Sequence, residues 1–131
     1  MAFAFVKGMN CYFGSYNRET GPADKKLVCF AIPEAGITFK APFNGAKLHT
    51  EYASLLTLLE FVESNQKLFK GHHLELFCDN LDLISQLNME TACAYEYSEL
   101  LRKALDYKDK LSFGLNWIPR DSNPATRHLF D

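Results

Sequence analysis

The first forty residues carry three short runs rich in aromatic and aliphatic side chains, each closed by glycine or proline. Residues 3–13 (FAFVKGMNCYF) end at Gly14-Ser15. Residues 27–32 (LVCFAI) form a continuous apolar run between Gly21-Pro22 and Pro33. Residues 36–40 (GITFK) alternate and stop before Pro42 and the Asn44-Gly45 turn. Short runs bounded in this way predict an antiparallel meander of three strands. The period then changes. From Thr50 to Ser64, Tyr52, Leu55, Leu56, Leu59 and Val62 recur at three and four, which marks one face of a helix. Thr50 is the expected N-cap, with Glu51 in the first turn, where the helix dipole favours a carboxylate. Residues 73–78 predict a strand ending at Asp79, and residues 80–88 a short helix. Residues 95–108 predict a helix with Tyr97, Leu100, Leu101, Ala104 and Leu105 facing inward, and residues 111–118 a last strand. A polar loop spans 120–123, and the tail PATRHLF opens a final helix, Pro124 being tolerated in its first turn. Three strands, a helix, a strand, helices and a further strand give an α/β fold with a mixed sheet. The segment 36–78 fits a right-handed parallel crossover.

At 131 residues, with 47% hydrophobic and 23% charged positions, the chain is expected to be a single domain spanning 1–131. The net charge of −2 excludes a global attraction to polyphosphate, so a nucleic-acid surface would have to be a local patch. Lys67, Lys70, Arg102, Lys103, Lys108 and Lys110 could form such a track. Glu96, Glu99, Asp106 and Asp109 interleave with the second group, however, and favour a solvated helix face. Cys11, Cys29, Cys78 and Cys93 form no CxxC pair, and three lie in apolar runs. They read as reduced, structural thiols rather than as a zinc site with His72 and His73, a pair that itself suits a surface turn. The apolar start MAFAFVKG lacks a basic leader and reads as a strand rather than a signal peptide; no stretch is long and apolar enough to span a membrane. The expected location is the cytoplasm.

Four stretches, in order, resemble the ribonuclease H family. YFGSYNRETGPADKKLVCFAI resembles its first hairpin, where a strand ends at Asp-Gly-Ser. KLHTEYASLLTLLEF resembles the helix that opens with a metal-binding Glu followed by Tyr-x-Ala-Leu. LELFCDNLDLISQLN resembles the strand ending in an active-site Asp. NWIPRDSNPATRHL resembles the closing strand and loop, in which Pro-Arg-x-x-Asn precedes Ala-Asp. The resemblance covers nearly the whole chain and implies a ribonuclease H-like α/β fold: a mixed five-stranded sheet, three antiparallel strands and then parallel ones, flanked by helices. It also implies a site of four carboxylates holding two divalent cations, one activating water and one stabilising the leaving oxygen.

Carried over residue by residue, Glu51 and Asp79 match the second and third carboxylates. The first falls on Phe13, because Gly14-Ser15 match the Gly-Ser after the Asp; in any register no acid precedes Glu19. The fourth, four residues past Asn123, falls on Arg127, whose guanidinium could pair with Asp79 or Glu51. The loop His of many members corresponds to Trp117, and the substrate-contacting Asn pair to Lys47-Leu48. Both remaining acids also have ordinary readings, Glu51 as first-turn capping and Asp79 as N-cap of the short helix. The resemblance therefore implies a degenerate site: no cofactor required, Mg²⁺ or Mn²⁺ held at low affinity with one ion at most, on Glu51 and Asp79. The leading expectation is a non-catalytic binder of RNA or an RNA–DNA hybrid, with Lys47, Arg120, Asn123 and Arg127 toward phosphates. A protein–protein module or homodimer on the same scaffold is the alternative. An active nuclease with substitute ligands such as Asp82 or Asp131 comes third.

Overall fold

The computed structural model describes residues 7–17 and 25–126. Strands β1 (Lys7–Asn17), β2 (Lys25–Ile32), β3 (Ile37–Asn44), β4 (His72–Cys78) and β5 (Gly114–Trp117) build one sheet in the order β3-β2-β1-β4-β5. β1 pairs antiparallel with β2, and β2 with β3; β4 joins β1 in parallel and β5 joins β4 in parallel. This is the expected mixed sheet, with three antiparallel strands followed by parallel ones. The crossover from β3 to β4 passes two strands before re-entering the sheet and uses α1 (Lys47–Ser64) and the short α2 (Gln66–Phe69). Helices α3 (Leu81–Leu87) and α4 (Ser98–Leu111) complete the described elements.

Strand alternation divides the core in two. Met9, Cys11 and Phe13 of β1, Phe30 and Ile32 of β2, and Leu74, Leu76 and Cys78 of β4 point to one face. There they pack under Tyr52, Leu55, Leu58, Leu59 and Val62 of α1 and Ala104 of α4. The other face carries a smaller cluster of Leu27, Cys29, Ala31 and Ala125, flanked by Tyr12 and Tyr16. Burial pushes the thiols of Cys11, Cys29 and Cys78 up to about 12, so they behave as small apolar side chains rather than nucleophiles. Cys11 and Cys78 lie under the helices and Cys29 lies in the other cluster, so these thiols do not converge.

Several boundaries differ from those read in the sequence. β1 does not stop at Gly14-Ser15: Ser15, Tyr16 and Asn17 pair with Val28, Leu27 and Lys26. β3 runs through Pro42 to Asn44, which is tolerated because β3 is an edge strand whose missing N–H need not serve a second neighbour. α1 begins a turn early. Its N-cap is Ala46, and Thr50 is an interior residue whose hydroxyl donates back to the Ala46 carbonyl at 2.9 Å. Glu51 is therefore not a first-turn acid. The N-cap of α3 is Asn80, whose Oδ1 accepts from the Leu83 N–H at 3.0 Å, which leaves Asp79 free of capping. α4 extends to Leu111, so β5 is confined to Gly114–Trp117. The start of the first strand at residue 3 and the final helix beyond Thr126 lie outside the described residues.

Candidate functional site

β1 and β4 run side by side, and both end at the same edge of the sheet. Two positions beyond the paired Tyr12 and Phe77, Gly14 lies opposite Asp79: a Cβ at Gly14 would stand 4.0 Å from Asp79 Oδ2. Phe13 points the other way, fully buried in the core beneath α1. Phe13, where the resemblance puts the first carboxylate, therefore points away from Asp79, and Gly14 is the β1 residue beside that acid. The position on β1 that faces the acid of β4 is Gly14, because Met9, Cys11 and Phe13 share the apolar period-two row and Gly14 is out of phase with it.

Gly14 is crowded. A Cβ there would also meet Thr126 Cγ2 at 3.1 Å and Asn123 Nδ2 at 3.2 Å. Asn123 is fully buried. Its Nδ2 donates to the Phe13 carbonyl at 3.0 Å and lies 3.3 Å from Asp79 Oδ2, while its Oδ1 accepts from the Ala125 N–H at 3.0 Å. The amide is fully engaged and has no surface to offer a phosphate, so the expectation that Asn123 contacts nucleic acid is corrected. It is a brace tying the closing loop to β1 and β4.

Glu51 approaches from α1, fully buried. Its Oε1 accepts from Ser15 Oγ at 2.9 Å and from the Ser15 N–H at 3.3 Å; Oε2 is buried and without a hydrogen-bond partner among the described residues. Burial raises its pKa to about 7; the Ser15 hydroxyl opposes the shift and the charge of Asp79 adds to it. One turn on, Ser54 Oγ donates to the Gly14 carbonyl at 2.8 Å and accepts from the Cys29 N–H at 3.2 Å, fixing α1 over β1 and β2. Neither Ser15 nor Ser54 was singled out in the sequence. The only signal for them was their polar character on otherwise apolar inward faces.

Arg120 projects from the short turn Arg120–Ser122. Its Nη1 lies 3.8 Å from Asp79 Oδ2 and its Nη2 donates to the Ser15 carbonyl at 3.2 Å. The Asp79 side chain is 5% exposed and that of Arg120 46% exposed, so the guanidinium covers the acid while keeping an edge in solvent. A guanidinium at this acid was expected from Arg127; residue 127 lies outside the described residues, and Arg120 makes the contact. Lys47 is exposed at the first position of α1, where its charge favours ionised Glu51. Trp117, opposite Cys78 at the end of β5, is 47% exposed at the rim of this edge.

Other candidates fall elsewhere. Asp82 is exposed in the first turn of α3, and Asp131 lies outside the described residues. His73 pairs with Glu75 at 3.0 Å on the surface. Arg102 pairs with Glu99 and Asp106, and Lys110 with Glu63, which accords with a solvated helix face.

Among the described residues, the donor set at this edge does not match a pair of divalent cations. Among the described residues, Glu51 and Asp79 are the carboxylates at this edge, Gly14 contributes no ligand, and a guanidinium already lies against Asp79. No group of three or more His, Cys, Asp or Glu side chains could share an ion among the described residues. Among those residues, also, no helix is long and apolar enough to cross a membrane.

No protein-family model matches the chain, and no curated protein is similar to it in sequence. Solved structures are similar in fold. A structure of LC11 ribonuclease H1 in complex with an RNA/DNA hybrid superposes with a TM-score of 0.70 at 19% identity, over 88% of each chain. Ribonuclease H1 from Halobacterium salinarum gives 0.64 at 20% identity over 90% of each chain. The N-terminal ribonuclease H domain of a Mycobacterium tuberculosis protein gives 0.65 at 13% identity, over 89% of this chain and 92% of that one. The chain has the ribonuclease H fold.

Proposed function

We propose that this ribonuclease H-like protein binds RNA or an RNA–DNA hybrid at the Glu51–Asp79 edge of the sheet without two-metal hydrolysis. One observation carries the reading: β1 presents Gly14 to Asp79 where converging carboxylates would be needed to retain a pair of divalent ions. The hybrid bound by a structural neighbour of the same fold supports the ligand class. Contacts to phosphates and 2′-hydroxyls are the ordinary mode for A-like duplexes, and exposed Lys47 and Arg120 flank the edge with positive charge. Arg127 is assigned to the same set by its position in the sequence, four residues past Asn123.

The test is fluorescence anisotropy with a labelled RNA–DNA hybrid, together with a cleavage assay in Mn²⁺. Binding that falls steeply with salt, without cleavage, is the expected result. Mn²⁺-dependent cleavage abolished by Glu51→Gln would instead establish a nuclease. Failure to bind even at low salt, with a homodimer or a captured partner, would favour the interaction module.

A further inference from the structure

Asp79 is almost completely withdrawn from water, and an isolated ion in such a place would be costly. Among the described residues its partners are the Asn123 amide and the Arg120 guanidinium, and of these two the guanidinium brings charge. Arg120 is also fixed from a second direction, by the backbone carbonyl of Ser15 on β1. The group therefore bridges the ends of β1 and β4. A planar guanidinium has five N–H donors in a fixed fork, and these two contacts leave donors over. With 46% of the side chain exposed, those donors face solvent at the edge where the duplex is proposed to lie.

We propose that Arg120 is a built-in cation: held by Asp79 and the Ser15 carbonyl, it supplies the positive charge that a divalent ion would otherwise bring to this edge. Its free edge receives a backbone phosphate, so that nucleic-acid binding is independent of divalent metal. The phosphate contact rests on the binding function proposed above; the pairing with Asp79 does not. Arg120 thereby has two tasks, neutralising a buried acid and presenting a bidentate donor pair to a phosphate oxygen. Gly14 is part of the same arrangement. A carboxylate there would compete for the guanidinium and draw it inward, whereas glycine leaves it free to face outward.

The experiment measures hybrid binding in EDTA and in Mg²⁺, and Mn²⁺ binding without nucleic acid, for the wild type, Arg120→Gln and Arg120→Lys. Wild-type affinity for the hybrid is expected to agree within about twofold between EDTA and Mg²⁺. Arg120→Gln should lower the log–log salt slope by about 1 and weaken binding. Arg120→Lys keeps a charge but not the fork, and should fall between the two. In the titration without nucleic acid, Arg120→Gln should bind Mn²⁺ about tenfold more tightly than the wild type, since Asp79 has lost its resident cation. Hybrid binding that requires Mg²⁺ overturns the inference while leaving the binding function standing. A wild type that binds no hybrid removes the binding function, and the Mn²⁺ titration then decides the pairing alone. Equal Mn²⁺ affinity in the wild type and Arg120→Gln overturns that pairing.

Discussion

Glu51 is a buried acid whose carboxyl departs well away from its ordinary behaviour. Its carboxyl titrates near 7 in the folded protein against 4.5 for the ordinary group. The native state therefore holds more protons than the unfolded chain between those two values. Its contribution to stability is intact below about pH 4.5, declines as pH rises towards 7, and is flat beyond. The difference amounts to roughly 3 kcal/mol, at one pKa unit per ~1.4 kcal/mol. Glu51→Gln should abolish this slope and be the more stable protein at pH 8, as urea unfolding at several pH values will show. Phe13 and Gly14 make a second contrast. Phe13→Asp places a charge in the core beneath α1 and should cost about 4 kcal/mol or more, enough to unfold the protein. Gly14→Asp should remain folded at a cost of about 1–2 kcal/mol from crowding against Thr126 and Asn123. Circular dichroism of the two variants separates these outcomes.

At the scale of elements, the closing loop is pinned to the sheet by one amide. Asn123→Ala strips the Phe13 carbonyl, the Ala125 N–H and Asp79 of a partner at once, and should cost about 3 kcal/mol, read from the shift in denaturation midpoint. The elements themselves were largely legible in the sequence. The mixed sheet of three antiparallel and then parallel strands, the helix carrying Tyr52, Leu55, Leu59 and Val62, and the placing of Glu51 near Asp79 at one edge all follow from period and resemblance. What was not legible is instructive. Gly14-Ser15 reads as a turn, yet β2 supplies partners for Ser15 and Tyr16, so a tertiary contact overrides local propensity. Thr50 reads as a cap, yet its hydroxyl is satisfied within the helix by Ala46. The pairing of Asp79 with Arg120 spans 41 positions and depends on a turn whose side-chain direction no local pattern specifies. The burial of Phe13, by contrast, was legible, since the alternation of Met9, Cys11 and Phe13 assigns that side chain to the core.

For the molecule as a whole, the net charge of −2 leaves nucleic-acid attraction to a local surface. If Lys47, Arg120 and Arg127 are the phosphate contacts, three neutralised phosphates give a log–log salt slope of about −3 for the hybrid. A slope twice as steep would mean that the lysines of α2 and α4 also take part. The protein also carries its own reporter for such titrations. Its single tryptophan stands half in water on β5, three residues before Arg120 and opposite the residue that precedes Asp79. Indole emission depends on wetting and is quenched by stacked nucleobases, so an occupied edge should dim and shift the intrinsic fluorescence, while a ligand bound at the far end of α4 should leave it untouched. An unlabelled duplex would thus announce where it sits through light from one side chain.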